Sequence, residues 1–170
     1  MYILKKVGIE FSDILKNLMK DTFYWAYKDM HSKKNIANYC ADNFTNKSVS
    51  AIFSSSIYTC IIAFKGNVPV GFFILKDKEC PFNINNTSLE LQQLYILKSV
   101  YNTGLGKELF TNVIHITKTL SKSYIWLTVT DSNNKARSFY EKKGFKKLGI
   151  GKEISVGTDT LSSSVMIYKL

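Results

Sequence analysis

The sequence predicts a single layered domain of helices and strands, of α/β or α+β class. Three observations carry that prediction. Stretches of helical and strand periodicity alternate along all 170 residues, in the order β-α-α-β-β-β-α-β-α-β-β. No linker, repeat or low-complexity block interrupts them, so residues 1–170 are expected to form one domain. Apolar residues make up 45% of the chain and aromatic ones 14%, which suits a packed core and excludes general disorder.

Each element has its own signal. Residues 2–7 read as a short strand. Phe11, Ile14, Leu15, Leu18, Thr22 and Trp25 follow helical spacing, and a second helical stretch covers residues 33–44. Residues 48–56 are rich in serine and favour neither period. Residues 57–64 and 68–75 read as strands joined by Gly66-Asn67, a hairpin signal. Residues 80–87, with Pro81 and several asparagines, read as a loop, and residues 89–97 as a strand. A helix over 105–120 aligns Leu105, Leu109, Val113, Ile116 and Leu120 in one stripe. A strand over 124–130 follows, then a helix over 133–143 that Gly144 stops. The tail, residues 145–170, reads as two strands around Gly157-Thr158-Asp159.

Lys and Arg number 23 against 13 Asp and Glu, a net charge of +10. Arg137 is the sole arginine. A dedicated nucleic-acid reader uses more of that forked side chain, so no specific nucleic-acid partner is expected. The scattered lysines read as a solvated surface, or as attraction for an anionic ligand such as a nucleotide cofactor. Cys40, Cys60 and Cys80 form no disulfide framework, and no Cys/His cluster offers a metal site. His115 falls within the apolar stripe of its helix and reads as a packed histidine. No apolar run approaches the ~20 residues of a membrane span. The first residues lack the long apolar region of a signal peptide. A cytoplasmic protein with no membrane partner is the expectation.

Two motifs carry chemistry. Tyr101-Asn102-Thr103-Gly104-Leu105-Gly106-Lys107 follows a strand and opens a helix. Such a turn presents free main-chain N–H groups and a positive dipole end, and its glycines let phosphate oxygens approach closely. It suits a pyrophosphate, or it is simply a tight strand-to-helix turn. It is not a Walker loop, because Glu108 follows Lys107, and Leu109 stands where a dinucleotide fingerprint needs its third glycine. The second motif runs over residues 133–145. At about 100° per residue, Asn133, Ala136 and Tyr140 share one helix face. That face is either a ligand surface or the buried side of an amphipathic helix.

Together these features resemble the GNAT N-acetyltransferase superfamily. The carriers are the strand ending in Leu94-Tyr95-Ile96, the GxG turn and its helix, the next strand, and the pattern NxxAxxFYEKxGF over residues 133–145. Residues 89–145 match strongly, and the preceding hairpin and N-terminal helices fit in order and length. Residues 94–98, the Gly157-Thr158-Asp159 turn and the chain length are most similar to bacterial spermidine/spermine N-acetyltransferases of the PaiA type. The resemblance implies an acyl-CoA N-acyltransferase fold, with a central, mostly antiparallel mixed sheet flanked by helices.

It also implies acetyl-CoA as co-substrate, with no metal. Leu94, Tyr95 and Ile96 would pair through main-chain groups with the pantetheine amides, like an added strand. Asn102, Thr103, Gly104, Leu105, Gly106 and Lys107 would hold the pyrophosphate, and Asn133 the pantetheine arm. Tyr140 would protonate the departing thiolate. A thiol has a pKa of ~8.5, so that help is useful rather than indispensable. Members of the family usually begin the turn with Gln or Arg, where this chain has Tyr101. That loss would weaken cofactor binding unless Lys98 or Lys107 supplies the charge.

An alkylammonium with a pKa near ~10 must lose a proton before it can attack. Glu90 is the candidate base, as in some family members. Its parity matches Gln92 and Leu94, which aims it at the cleft if no bulge intervenes; otherwise it is a solvated strand-end carboxylate. Asp21, Tyr24, Trp25, Tyr27 and Asp29 mix carboxylates with rings, as a polycation site would, or else Trp25 packs inward and the aspartates are solvated. The expected function is direct acetyl transfer, in a ternary complex, to a primary amine of a small molecule, with polyamines foremost. A protein or peptide amine, or a non-catalytic acyl-CoA-binding module, are the alternatives. Monomer and homodimer both remain open.

Overall fold

The computed structural model describes residues 1–84 and 86–170. Strand β1 (Ile3–Lys6) leads into α1 (Ser12–Tyr27). Helix α1 buries Leu15, Leu18, Met19, Thr22, Phe23 and Tyr27, whose spacing makes one apolar stripe. Helix α2 (Lys33–Asn43) starts at Ser32, whose Oγ accepts the Asn35 N–H at 3.1 Å. The serine-rich stretch resolves into α3 (Asn46–Ser54). Thr45 and Ser48 exchange side-chain and main-chain hydrogen bonds of 3.0 Å each, a capping box with serine in place of the usual Glu or Gln. That substitution explains why the sequence pattern left the segment undecided.

Strands β2 (Tyr58–Lys65) and β3 (Val68–Lys76) form the expected hairpin, with Gly66 at φ 59° in its turn. Then come β4 (Ser88–Ile96), α4 (Leu105–Thr119), β5 (Tyr124–Thr130) and α5 (Asn134–Lys142). The tail holds four strands rather than two. They are β6 (Lys146–Ile150), β7 (Ile154–Val156), β8 (Asp159–Leu161) and β9 (Ser163–Lys169). The turn at Gly157 joins β7 to β8, a two-stranded hairpin outside the main sheet.

The main sheet has seven strands in the order β1-β2-β3-β4-β5-β9-β6. Among the described residues only the β4–β5 pairing is parallel. Two cores cover its faces. On one, α4 and α5 bury Leu105, Leu109, Val113 and Tyr140 against Phe73, Leu91 and Leu127. On the other, α1, α2 and α3 bury Leu15, Phe23, Ile36 and Val49 against Ile62, Phe72 and Ile74, joined by Val156 of the small hairpin. His115 departs from expectation: it sits on the exposed flank of α4, between the buried positions Val113 and Thr117. Among the described residues no helix is long and apolar enough to cross a membrane, and no group of three or more His, Cys, Asp or Glu could hold a metal ion.

Candidate active site

Strands β4 and β5 pair only through Ser88–Tyr124, Leu89–Ile125 and Glu90–Trp126. Beyond that point they splay. On its other edge β4 keeps pairing with β3 as far as Gly71–Ile96. Residues 91–96 therefore present main-chain donors and acceptors that no ladder satisfies on the side facing β5. A cleft of about 170 Å³ fills the opening, lined from β4 by residues 91–95 and from β5 by residues 127–130.

Where β4 ends, the chain turns through Asn102 (φ 62°) and Gly104 (φ 90°) into α4. The first helical hydrogen bond runs from the Glu108 N–H to the Gly104 carbonyl at 3.1 Å. The N–H groups of Leu105, Gly106 and Lys107 precede it and have no intrahelical partner. A Cβ on Gly104 would meet nothing within 4 Å, so this position opens outward. Gly106 differs: a Cβ there would lie 3.4 Å from the Phe139 ring, so its bareness serves the contact between α4 and α5. The Thr103 hydroxyl donates to the Val100 carbonyl at 2.7 Å and accepts from Tyr2 at 2.9 Å, which ties the turn to the start of the chain. Leu105 is fully buried, while Tyr101 is exposed. The open strand edge, the free N–H groups and the empty space at Gly104 fit a pantetheine arm continued by a diphosphate.

Asn133 caps α5 by accepting the Ala136 N–H at 3.1 Å on Oδ1. Asn133, Ala136 and Tyr140 all line the cleft, as their spacing predicts. Tyr140 is wedged between Phe139 and Phe145, each with ring centroids 5.3 Å away. Burial first, and then the neighbouring Tyr27, push its phenol well above the ordinary range, so it stays protonated near neutrality.

Glu90 is placed differently from its parity. A bulge interrupts the β3–β4 register between Ile74 and Leu75, opposite residues 91–93 of β4. Leu89 and Leu91 share a core with Leu94 and Ile96, while Tyr95 packs in the other. Glu90 thus shares its face with Gln93 and Tyr95, and not with Leu94. Its side chain does not line the cleft; it lies at the closed end of the splay. Oε2 is buried without a hydrogen-bond partner, 3.9 Å from Lys78 Nζ. Burial raises its pKa, and Lys78 and Lys76 oppose that rise.

The expected polycation set is not assembled. Of its five residues only Tyr27 lines the cleft. Trp25 is half-exposed and covered by Lys98 and Lys28, whose Nζ atoms lie 4.3 and 5.3 Å from the ring centroid. Asp29 pairs with Lys28 at 2.8 Å. Sequence reasoning missed Gln93 and Thr130, which line the cleft with Oε1 and Oγ1 buried and unpartnered. It also missed Phe23, Tyr39, Phe44, Ile154 and Val156 on the cleft's second wall. The Gln92-Gln93 break in the apolar alternation of β4 was the available signal for the bulge.

A parallel pair splaying beside a glycine turn defines an acyl-CoA-type transferase fold, and solved structures share it. A PaiA N-acetyltransferase of Thermoplasma acidophilum, crystallised with coenzyme A, superposes with a TM-score of 0.83 over 100% of this chain and 99% of its own, at 22% identity. The model of the Acetyltransferase (GNAT) family matches residues 14–145, and this chain belongs to that family. A spermidine N(1)-acetyltransferase of Thermoplasma acidophilum is 26% identical over 147 residues, covering 84% of this chain and 87% of that protein. An uncharacterized N-acetyltransferase of Lactobacillus delbrueckii is 34% identical over 64 residues, covering 38% of this chain and only 37% of that relative's length.

Proposed function

We propose that this chain is an acetyl-CoA-dependent N-acetyltransferase that transfers acetyl directly, in a ternary complex, to a primary amine of a small molecule. One observation carries the reading: the unpaired edge of β4 leads from Tyr140 in the cleft to the free N–H groups at Gly104. In this reading Leu94, Tyr95 and Ile96 pair with the pantetheine amides. The turn from Asn102 to Lys107 takes the diphosphate, and Asn133 steadies the arm. The donor enters from the α4–α5 side, so the acceptor comes from the wall formed by α1, α2 and β7.

The amine nitrogen bonds to the acetyl carbon as the carbon–sulfur bond breaks. The thiolate takes its proton from Tyr140, whose buried phenol still holds it at neutral pH, and the phenol regains a proton from solvent as the products leave. The amine's own proton leaves through water towards Glu90, on the acceptor face of β4. A carboxylate with a raised pKa suits a base working near neutrality. Cytoplasmic residence goes with this reading, since the donor is a cytoplasmic metabolite. A polyamine acceptor is supported by the name of the Thermoplasma relative; the chemistry of the acceptor wall favours another class.

The test is release of free coenzyme A from acetyl-CoA with a panel of amines and peptides. Release with a small primary amine is expected. Acetyl-CoA binding with no release would make the chain a binding module, and release with peptides alone would move the acceptor to protein.

A further inference from the structure

Among the described residues none that lines the cleft is Asp, Glu, Lys, Arg or His. The acceptor wall is a box of rings. Phe23 stacks on Tyr39 with centroids 4.3 Å apart and planes at 4°, and Phe44 meets both edge-on, at 5.7 and 5.8 Å. Ile154 and Val156 of the β7–β8 hairpin complete it. That hairpin has one carboxylate, Asp159, which is turned away and engaged: Oδ2 lies 2.7 Å from His31 Nδ1 and accepts the Asn35 amide at 3.0 Å. Asp21 and Asp29 lie outside the cleft lining. Two buried polar atoms of the lining, Gln93 Oε1 and Thr130 Oγ1, have no partner and are neutral, and the phenols of Tyr27 and Tyr39 line the cleft as well.

We infer that the acceptor is a monoamine, a primary amine on an apolar alkyl or aryl body with no second cationic centre. The inference rests on the transfer reading and narrows it. Gln93 and Thr130 offer acceptors for the hydrogen bonds of an amine nitrogen. An apolar body gains by leaving water against Tyr39, Phe44 and Ile154. A second ammonium on the same body would find ring faces but no carboxylate among the lining residues, and ring faces alone offset only part of the cost of burying an unpaired charge. The chain's net charge of +10 adds repulsion.

Hexylamine and 1,6-diaminohexane form the matched test, since they have one chain length and differ in the second ammonium. With acetyl-CoA saturating at pH 8, kcat/KM for hexylamine is expected to exceed that for the diamine by about tenfold or more. Equal values, or preference for the diamine or spermidine, would overturn the inference. Calorimetric binding of both amines to the protein–coenzyme A complex reads the same preference without transfer. A tenfold preference there supports the inference even if no acetyl moves, which separates its failure from that of the transfer reading. Tyr39→Glu, or Ile154→Glu if the first variant folds poorly, adds a carboxylate to the wall. Either should narrow or reverse the ratio while the KM for acetyl-CoA stays unchanged. A ratio that does not move in a folded variant would count against this wall as the acceptor site.

Discussion

Glu90 and Trp126 form the last rung between β4 and β5, and the cleft begins where that rung ends. Trp126 is held there by its indole N–H, which donates to the Lys78 carbonyl at 2.9 Å, while Lys78 Nζ lies 5.4 Å from the indole ring centroid and 3.9 Å from the Glu90 carboxylate. A buried carboxylate thus stands at the vertex of the splay, under a lysine that limits its cost. Loss of either partner would alter both the proton affinity of the vertex and the angle at which the strands part.

Glu90→Gln should move the acid limb of the pH dependence of kcat/KM and lower the rate by about 100-fold or more if the carboxylate is the base. Stability should move the other way. The folded pKa is raised, so the wild type loses stability as pH climbs from the unfolded value towards the folded one. The variant lacks that loss and should melt higher at neutral pH, with no difference well below the unfolded carboxyl range. Rate–pH profiles and melting at two pH values check both halves. An unmoved acid limb removes Glu90 from the proposed role.

Tyr140→Phe should lower kcat by about 100-fold, the low end of the range for a general acid, because a thiolate leaves unaided better than an alkoxide. The KM for acetyl-CoA should change by less than about twofold, since the ring packing against Phe139 and Phe145 survives. Steady-state kinetics with both substrates varied decides it.

Gly104→Val places a β-branched side chain at φ 90°. The left-handed region costs an ordinary residue about 1–2 kcal/mol. A folded variant should melt a few degrees lower and bind coenzyme A more weakly, because the turn relaxes away from the geometry that frees its N–H groups. Gly104→Asn, which tolerates that region better, should lose less on both counts. Calorimetric titration with coenzyme A is the measurement.

Asp159→Asn tests how the small hairpin is seated. The hydrogen bond from His31, then that from Asn35, holds the Asp159 carboxyl below its ordinary range. A depressed pKa gives stability that is present above the unfolded value and lost as pH falls through the folded one. Urea midpoints of wild type and variant should differ near neutrality and converge in acid. A gap that persists once the carboxyl is protonated would assign the effect to shape rather than charge.

Much of the fold was legible because long elements repeat their period often. Leu105, Leu109 and Val113 fixed α4, and the spacing of Asn133, Ala136 and Tyr140 gave the face that lines the cleft. Strands β7 and β8 were not separable from their neighbours, since three residues barely show an alternation. The slip in β4 was written in the step from Leu89 and Leu91 to Leu94 and Ile96, and only the burial on each face turned it into a bulge. The cleft's second wall had no local signal. Phe23, Tyr39, Phe44 and Val156 come from three segments, each of which reads as ordinary core.

The β7–β8 hairpin ladders only with itself, and its inner residues Ile154 and Val156 line the cleft while its outer carboxylate fastens it to His31 and Asn35. Exchanging residues 154–161 would therefore spare every rung of the seven-stranded sheet. In the proposed reading it is a cassette: an engineer could regraft what the enzyme accepts and leave inherited donor handling untouched.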